Sequence, residues 1–338
     1  MASFTVNLHA KGSIRLKQFG SRSFLKPDAM NAQLNASFEA ARAVTRRNAA
    51  SFYFCSRALP RDRRQAAYAI YAFCRHVDDA IDHAKTDEER YAARQTLEED
   101  LPEIFAGRAI GQEAAWIPSF AETVEAYRIP RQYFEDLIHG VCLDAQPRVR
   151  IQTWMELREY TYYVAGVVGL IMARIFDLKD ERGEEAAVCL GVAMQLTNIC
   201  RDVGEDLRNN RIYLPLSELR EFGVSEEDLL AGRVTAEYQN LMAFQLDRAR
   251  TYYARAEEGI PLLGSPSGRF CVWLMRYVYA GIHGRIERLK YDNLHRRAST
   301  SAVDKLLLSL RAIGNSLRPR PLDPDFFRHS GVELSHAP

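Results

Sequence analysis

Apolar side chains recur at three- and four-residue spacing from about residue 31 to residue 317, and alternation never persists long enough to read as a strand. The spacing predicts helices over roughly 33–57, 61–84, 87–106, 112–127, 131–145, 152–177, 184–208, 235–261, 266–292 and 301–316. Proline or glycine marks most of the gaps, at Pro60, Pro130, Pro147, Gly183, Pro215, Gly223, Gly232 and Gly264 among others. Pro60 before Arg61-Asp62 reads as a helix start, and Ser225 followed by Glu226, Glu227 and Asp228 puts acids where a first helical turn favours them. No stretch has the composition of a linker, and nothing repeats at a fixed period. The pattern predicts an all-α, single-domain helical bundle over 31–317. Residues 1–30 read as a flexible basic segment and 318–338 as a tail.

Two of the predicted helices carry polar stripes that an ordinary surface helix does not explain. Steps of three and four residues link Tyr68, Tyr71, Arg75, Asp78 and Asp82 along one face, inside a segment (AAYAIYAFCR) otherwise apolar. The same spacing links Gln195, Asn198, Asp202 and Asp206, with Arg201 close by and Arg211 and Tyr213 just beyond. Carboxylates one turn apart converge, and at an effective dielectric near 20 each pair repels by roughly 2 to 3 kcal/mol unless a cation stands between them. A lone D-x-x-x-D is more often a solvated acidic face, and arginines beside acids are often only their ion-pair partners. Here each acid pair ends a stripe that begins in aromatic or amide groups, which is the lining of a cavity. Two facing pairs suit hard divalent cations such as Mg²⁺, with amide oxygens as further ligands and arginines as bidentate partners of diphosphate.

Composition narrows the partners. With 45 Lys+Arg against 44 Asp+Glu the chain has a formal net charge of +1, which leaves no electrostatic footprint for nucleic acid. The six cysteines show no C-x-x-C spacing and read as reduced core thiols of a cytosolic protein. The eight histidines lack zinc-site spacing. No run of 18 apolar residues is present to cross a bilayer. The first 27 residues hold Lys11, Arg15, Lys17, Arg22 and Lys26 and no acid. They read as a flexible basic segment that meets anionic lipid headgroups at a membrane surface or nothing at all, with a weak organelle-targeting segment as the alternative. Oligomeric state is not legible.

Between the acidic runs lies YTYYVAGVVGL (160–170), whose Ala165, Gly166 and Gly169 permit close approach. Either another helix packs there or an apolar ligand lies against bare backbone. Tyr160, Phe134, Tyr253 and Tyr279 offer aromatic faces able to stabilise a carbocation. Phe134 and Tyr253 read as core, and Tyr160 as functional because it opens this segment.

Taken together, YAFCRHVDDAID (71–82), IPRQYFEDLIHGVCLD (129–144), YTYYVAGVVGL (160–170), LGVAMQLTNICRDVGEDL (190–207) and RIYLP (211–215) resemble the squalene/phytoene synthase family, in family order, over about 45–317. RIERLKYDNLHRRAS (285–299) is most similar to the phytoene synthases within it. The resemblance implies an isoprenoid-synthase fold with a central cavity and head-to-head condensation of two prenyl diphosphates. It implies metal binding by Asp78, Asp82, Asn198, Asp202 and Asp206, and diphosphate contacts from Arg75, Arg201, Arg211 and Tyr213. Tyr71 and Tyr160 become cavity tyrosines. The expected cofactor is Mg²⁺, with Mn²⁺ as a substitute, and NADPH has no support. Two geranylgeranyl diphosphates giving phytoene is the expected reaction. The alternatives are a farnesyl-diphosphate enzyme making squalene, dehydrosqualene or presqualene diphosphate, and, more distantly, a non-catalytic assembly factor. One departure is Asn210, where the family commonly has Gly before the Arg of RIYLP.

Overall fold

The structure is a computed structural model that describes residues 27–316, except 85, 109, 111–113 and 144. The basic N-terminal segment up to residue 26 and the tail from 317 lie outside the described residues. The chain opens with α1 (Pro27–Asn48), α2 (Ala50–Ser56), α3 (Arg61–Asp82) and α4 (Asp87–Phe105), followed by α5 (Ile117–Ala126) and α6 (Gln132–Leu143). Next come α7 (Trp154–Thr161), a π-helical stretch (Tyr162–Gly166) and α8 (Val167–Ile175), which together make one helical path. The long α9 (Arg182–Arg208) precedes two short helices, α10 (Leu216–Glu221) and α11 (Glu226–Leu230). The chain then forms α12 (Ala236–Gly259), α13 (Pro266–Arg288) and α14 (Ala302–Ser316).

The expected all-α bundle is thus present, with local differences. The helix expected over 33–57 breaks at Ala49. Helices α10 and α11, of six and five residues, are too short to show a period; only the start of α11 was anticipated, from the acids after Ser225. Two residues on each side, β1 (Val149–Arg150) and β2 (Arg211–Ile212), pair in parallel where no strand was expected. Side-chain caps fix several helix starts. Thr86 and Glu89 form a reciprocal capping box on α4, and Ser225 and Asp228 do the same on α11, as the acids after Ser225 suggested. Ser265 caps α13, with Pro266 in its first turn.

Helix α9 runs through the middle of the bundle, and small residues decide what lies against it. A Cβ on Gly169 would stand 2.2 Å from the Ala187 carbonyl oxygen, and one on Gly191 would stand 2.1 Å from that of Ala165. Backbone therefore meets backbone where this segment crosses α9, and because Ala165 and Gly169 also line the cavity described below, both readings of the 160–170 segment have support. On the opposite side, Thr197 of α9 binds Tyr253 of α12 (3.1 Å) and His283 of α13 (2.8 Å). Tyr253 and Phe134 are both fully buried, as read from sequence, and Phe134 packs among Phe73, Phe105 and Phe120. All six cysteines are free thiols, four of them buried. Among the described residues no helix is long and apolar enough to cross a membrane.

Candidate active site

A cavity of about 700 Å³ opens between α3, α8, α9 and α13. Helix periodicity determines what each wall presents. From α3 the cavity receives Ala67, Ile70, Tyr71, Cys74 and Asp78, and from α9 it receives Gly183, Ala187, Leu190, Met194, Gln195, Asn198 and Arg201. Both walls pass from apolar to charged in the same direction along the chain. The remaining lining is mostly apolar: Val168 and Met172 of α8, Val272 and Met275 of α13, and Phe176 and Leu263.

Of the residues expected from sequence, Tyr71, Asp78, Gln195, Asn198 and Arg201 line this cavity. The others do not line it. Arg211, at the start of β2, reaches Asp82 at the end of α3 (3.6 Å), so the segment after the second acidic run touches the first. Asp206, Arg211 and Tyr213 share a small cleft with Val203 and Leu207. Tyr160 is buried and stacks on Tyr213, with ring centroids 5.2 Å apart. Of the aromatic candidates, Tyr279 joins Tyr71 in the cavity, beside Phe52 and Phe176. Arg75 pairs with Asp79, one turn on, and its Nε is buried without a partner.

Two site residues were not found from sequence. Arg297 donates from Nε to Asp202 (2.8 Å), lies 3.6 Å from Glu205 and lines the cavity. Lys305 of α14 lines it too, with its ammonium over the Phe54 ring. Both come from far along the chain, and their only signals were the basic stretch HRRAS at the end of the 285–299 motif and the KLLLSL (305–310) that follows it.

Asp202 is the most tightly held of the acids. Arg201 donates to it from Nε (2.8 Å) and Nη2, and Arg297 binds its other side. Burial works to raise its carboxyl, but the hydrogen bonds from the two guanidinium groups overcome this and hold it below the usual carboxylate range. Arg297 also faces Glu205, so two guanidiniums meet two carboxylates here, and each guanidinium keeps N–H donors to spare for a further anion. Burial also pushes the Tyr71 and Tyr279 hydroxyls up to about 12, so both rings are neutral in the cavity.

Among the described residues no three His, Cys, Asp or Glu side chains come together as a metal-binding group. Each acidic run instead has its own arginines. The Oδ1 atom of Asn198 is nevertheless buried with no hydrogen-bond donor, in a residue that lines the cavity. An orphaned acceptor there, beside carboxylates and the Gln195 amide, makes an all-oxygen donor set of the kind hard divalent cations prefer.

The squalene/phytoene synthase family matches residues 45–304. The chain is 37% identical over 299 residues to phytoene synthase 3, chloroplastic, of Zea mays, covering 87% of this chain and 69% of that protein. It is 36% identical over 293 residues to the 15-cis-phytoene synthase of Synechococcus elongatus, covering 83% and 94%. Among solved structures it is similar to a dehydrosqualene synthase in complex with ligand (TM-score 0.75, 28% identity, 85% of this chain and 98% of that one). It is also similar to a squalene synthase from Alicyclobacillus acidocaldarius (TM-score 0.69, 31% identity, 78% and 98%).

Proposed function

Because the chain belongs to the squalene/phytoene synthase family, we propose that it is a prenyltransferase that joins two geranylgeranyl diphosphates head to head to give phytoene. The reaction passes through a cyclopropyl diphosphate. The cavity is the observation that carries this reading. Its α9 wall runs from Arg201 to Gly183, roughly 27 Å at 1.5 Å per residue, charged at one end and apolar beyond. A long prenyl chain with a diphosphate head has that shape and polarity.

The residues divide the work. Asp78, Asp82, Asn198, Asp202 and Asp206 would hold Mg²⁺, or Mn²⁺ as a substitute, and a cation bound there neutralises diphosphate oxygens and makes the group a better leaving group. Arg201, Arg297, Lys305, Arg75 and Arg211 supply positive charge and N–H donors to the phosphates, with Gln195 and Tyr213 as further polar contacts. Tyr160 acts as a positioning residue through its stack on Tyr213. The neutral rings of Tyr71 and Tyr279 face the allylic cation left at C1 when diphosphate departs, and the apolar walls keep water from quenching it. The second chain attacks through its double bond and a proton is lost as the cyclopropane closes. Loss of the second diphosphate, rearrangement and a last proton loss give the hydrocarbon. No protein nucleophile and no NADPH are called for. Placement in the cytoplasm goes with this reading.

Likeness to a dehydrosqualene synthase and a squalene synthase favours a second reading, the same chemistry on farnesyl diphosphate. Incubating the purified chain with Mg²⁺ and C15 or C20 prenyl diphosphate, with and without NADPH, separates the two by product mass. We expect phytoene from the C20 substrate without NADPH. Product from the C15 substrate alone establishes the second reading, and no product in any mixture overturns both.

A further inference from the structure

Among the described residues Thr197 is the one buried polar side chain of α9, and its surroundings determine where every proton around it lies. Its hydroxyl stands 2.7 Å from the Ala193 carbonyl, 2.8 Å from Nε2 of His283 and 3.1 Å from the Tyr253 hydroxyl. A carbonyl only accepts, so the single Thr197 proton goes to Ala193. Two lone pairs are left for Tyr253 and His283, and each of these must donate. His283 is 3% exposed, and burial pushes its imidazole down to about 3. It is therefore the neutral tautomer with its proton on Nε2. Burial likewise pushes the Tyr253 hydroxyl up, so it keeps the proton it donates.

Three helices meet at this node, and each shows the cavity a side chain within about one turn of it. Asn198 follows Thr197 directly and Arg201 lies one turn on; Ala256 follows Tyr253 by one turn, and Tyr279 and Ile282 precede His283. Where α9 meets α8 the contact is bare backbone at Gly169 and Gly191, which sets a distance but interlocks no side chains against rotation. Rotation matters here. Side chains reach roughly 5–6 Å from a helix axis, so turning α9 by about 20° moves an Asn198 oxygen by about 2 Å. A site of this kind tolerates about 0.5 Å. We propose that Thr197 is a positioning residue: by accepting from α12 and α13 at once, it fixes the rotation of α9 and keeps the Asn198 Oδ1 and the Arg201 guanidinium turned into the cavity. Valine has the same shape and would bury as readily, so what the hydroxyl adds is direction. The consequence for cation binding rests on the reading above, whereas the node of bonds does not.

The test compares the full chain with Thr197→Val, Thr197→Ser and Tyr253→Phe, each checked for folding by circular dichroism and urea unfolding. Nitrogen NMR of the wild-type His283 ring at neutral pH should show a protonated Nε2 and an unprotonated Nδ1. The opposite tautomer overturns the node. Mn²⁺ binding is then followed by electron paramagnetic resonance beside a saturating C20 prenyl thiolodiphosphate, which does not ionise. Thr197→Val should weaken Mn²⁺ binding about tenfold, and Thr197→Ser should restore it to within about twofold. Tyr253→Phe removes one donor and keeps the ring, so it should weaken binding about threefold and carries the test if the valine variant does not fold. Equal Mn²⁺ binding by the wild type and every folded variant, whatever their stabilities, overturns the positioning role and leaves a node that only holds the bundle together. No Mn²⁺ binding by the wild type overturns the metal reading, and the proposal with it; the His283 tautomer tells that failure from a wrong node.

Discussion

The two aspartate runs have the same spacing and different surroundings. Asp82 ends α3 in the open, 53% exposed, with Arg211 reaching it across 3.6 Å. Asp202 is 15% exposed, held by two arginines, and roofed by the segment after α13. One residue between the acids makes the difference. The first run has Ala80 between Asp78 and Asp82; the second has Gly204 between Asp202 and Asp206. A Cβ on Gly204 would stand 2.0 Å from the Leu294 carbonyl oxygen, and the Gly204 amide donates to the Asn293 carbonyl (3.2 Å). Asn293 is itself buried, accepts from Tyr238 (2.6 Å) and donates to the Cys200 carbonyl. The second run is therefore pre-organised by tertiary packing, while the first keeps its freedom to close on a ligand.

The largest expected effect separates chemistry from architecture. Asp78→Asn and Asp202→Asn should each lower turnover by about a thousandfold, because each removes a carboxylate that would hold the cation neutralising the leaving diphosphate. Only Asp202→Asn should also lower stability, by about 1–3 kcal/mol in urea, since it leaves two guanidiniums without their anion. The pH dependence has a definite sign. The Asp202 carboxyl is lowered in the folded state, so its contribution is present above the ordinary carboxylate pKa of about 4 and is lost as pH falls through its lowered value. Asp202→Asn should flatten the stability profile in that acidic window. Equal stability losses at the two positions would break the comparison.

Arg297→Gln comes next, with kcat/KM down by roughly 10- to 100-fold and partial recovery in Arg297→Lys, because the residue touches Asp202 and lines the cavity. Full activity in Arg297→Gln would reduce the contact to a surface ion pair. Gly204→Ala should then cost about tenfold in turnover by lifting the roof segment, whereas Ala80→Gly should change turnover less than about twofold and cost only the propensity difference of about 1 kcal/mol. A neutral Gly204→Ala would show that the roof has no part in placing Arg297.

These contrasts mark where sequence stops being legible. Spacings of three and four residues recover the cavity-lining parts of both stripes, because helix geometry alone decides which side chains share a face. The same rule leaves Arg75 ambiguous, since Asp78 and Asp79 both lie within reach, and it is Asp79 that pairs. Arg297 and Lys305 reach the site only through the return of α13 to α9 and the packing of α14 on α13, contacts that no local period encodes. Tyr160 and Tyr279 show the same limit: both were aromatic candidates, and packing alone sends one onto Tyr213 and the other into the cavity.

The smallest expected effect concerns Asn210, the departure in the segment that joins the runs. It adopts φ = 58°, the left-handed conformation for which glycine carries no steric cost. Its side chain compensates. The Nδ2 group donates to the Pro147 carbonyl (2.9 Å), and Oδ1 accepts from Arg150 (3.0 Å), whose guanidinium also binds the Asn210 carbonyl and Glu226. Asn210→Gly relieves the backbone and loses two exposed hydrogen bonds, terms of about 1 kcal/mol each way, so stability should move by less than about 1 kcal/mol. Arg211 follows directly and is paired in the β1–β2 ladder, so its reach to Asp82 should survive and turnover should change less than about tenfold. Asn210→Ala keeps the strain and loses both bonds, and should cost about 1–2 kcal/mol by thermal unfolding. A Gly variant as impaired as the Ala variant would mean that the side-chain bonds, more than the backbone angle, set the position of Arg211 against the open acidic run.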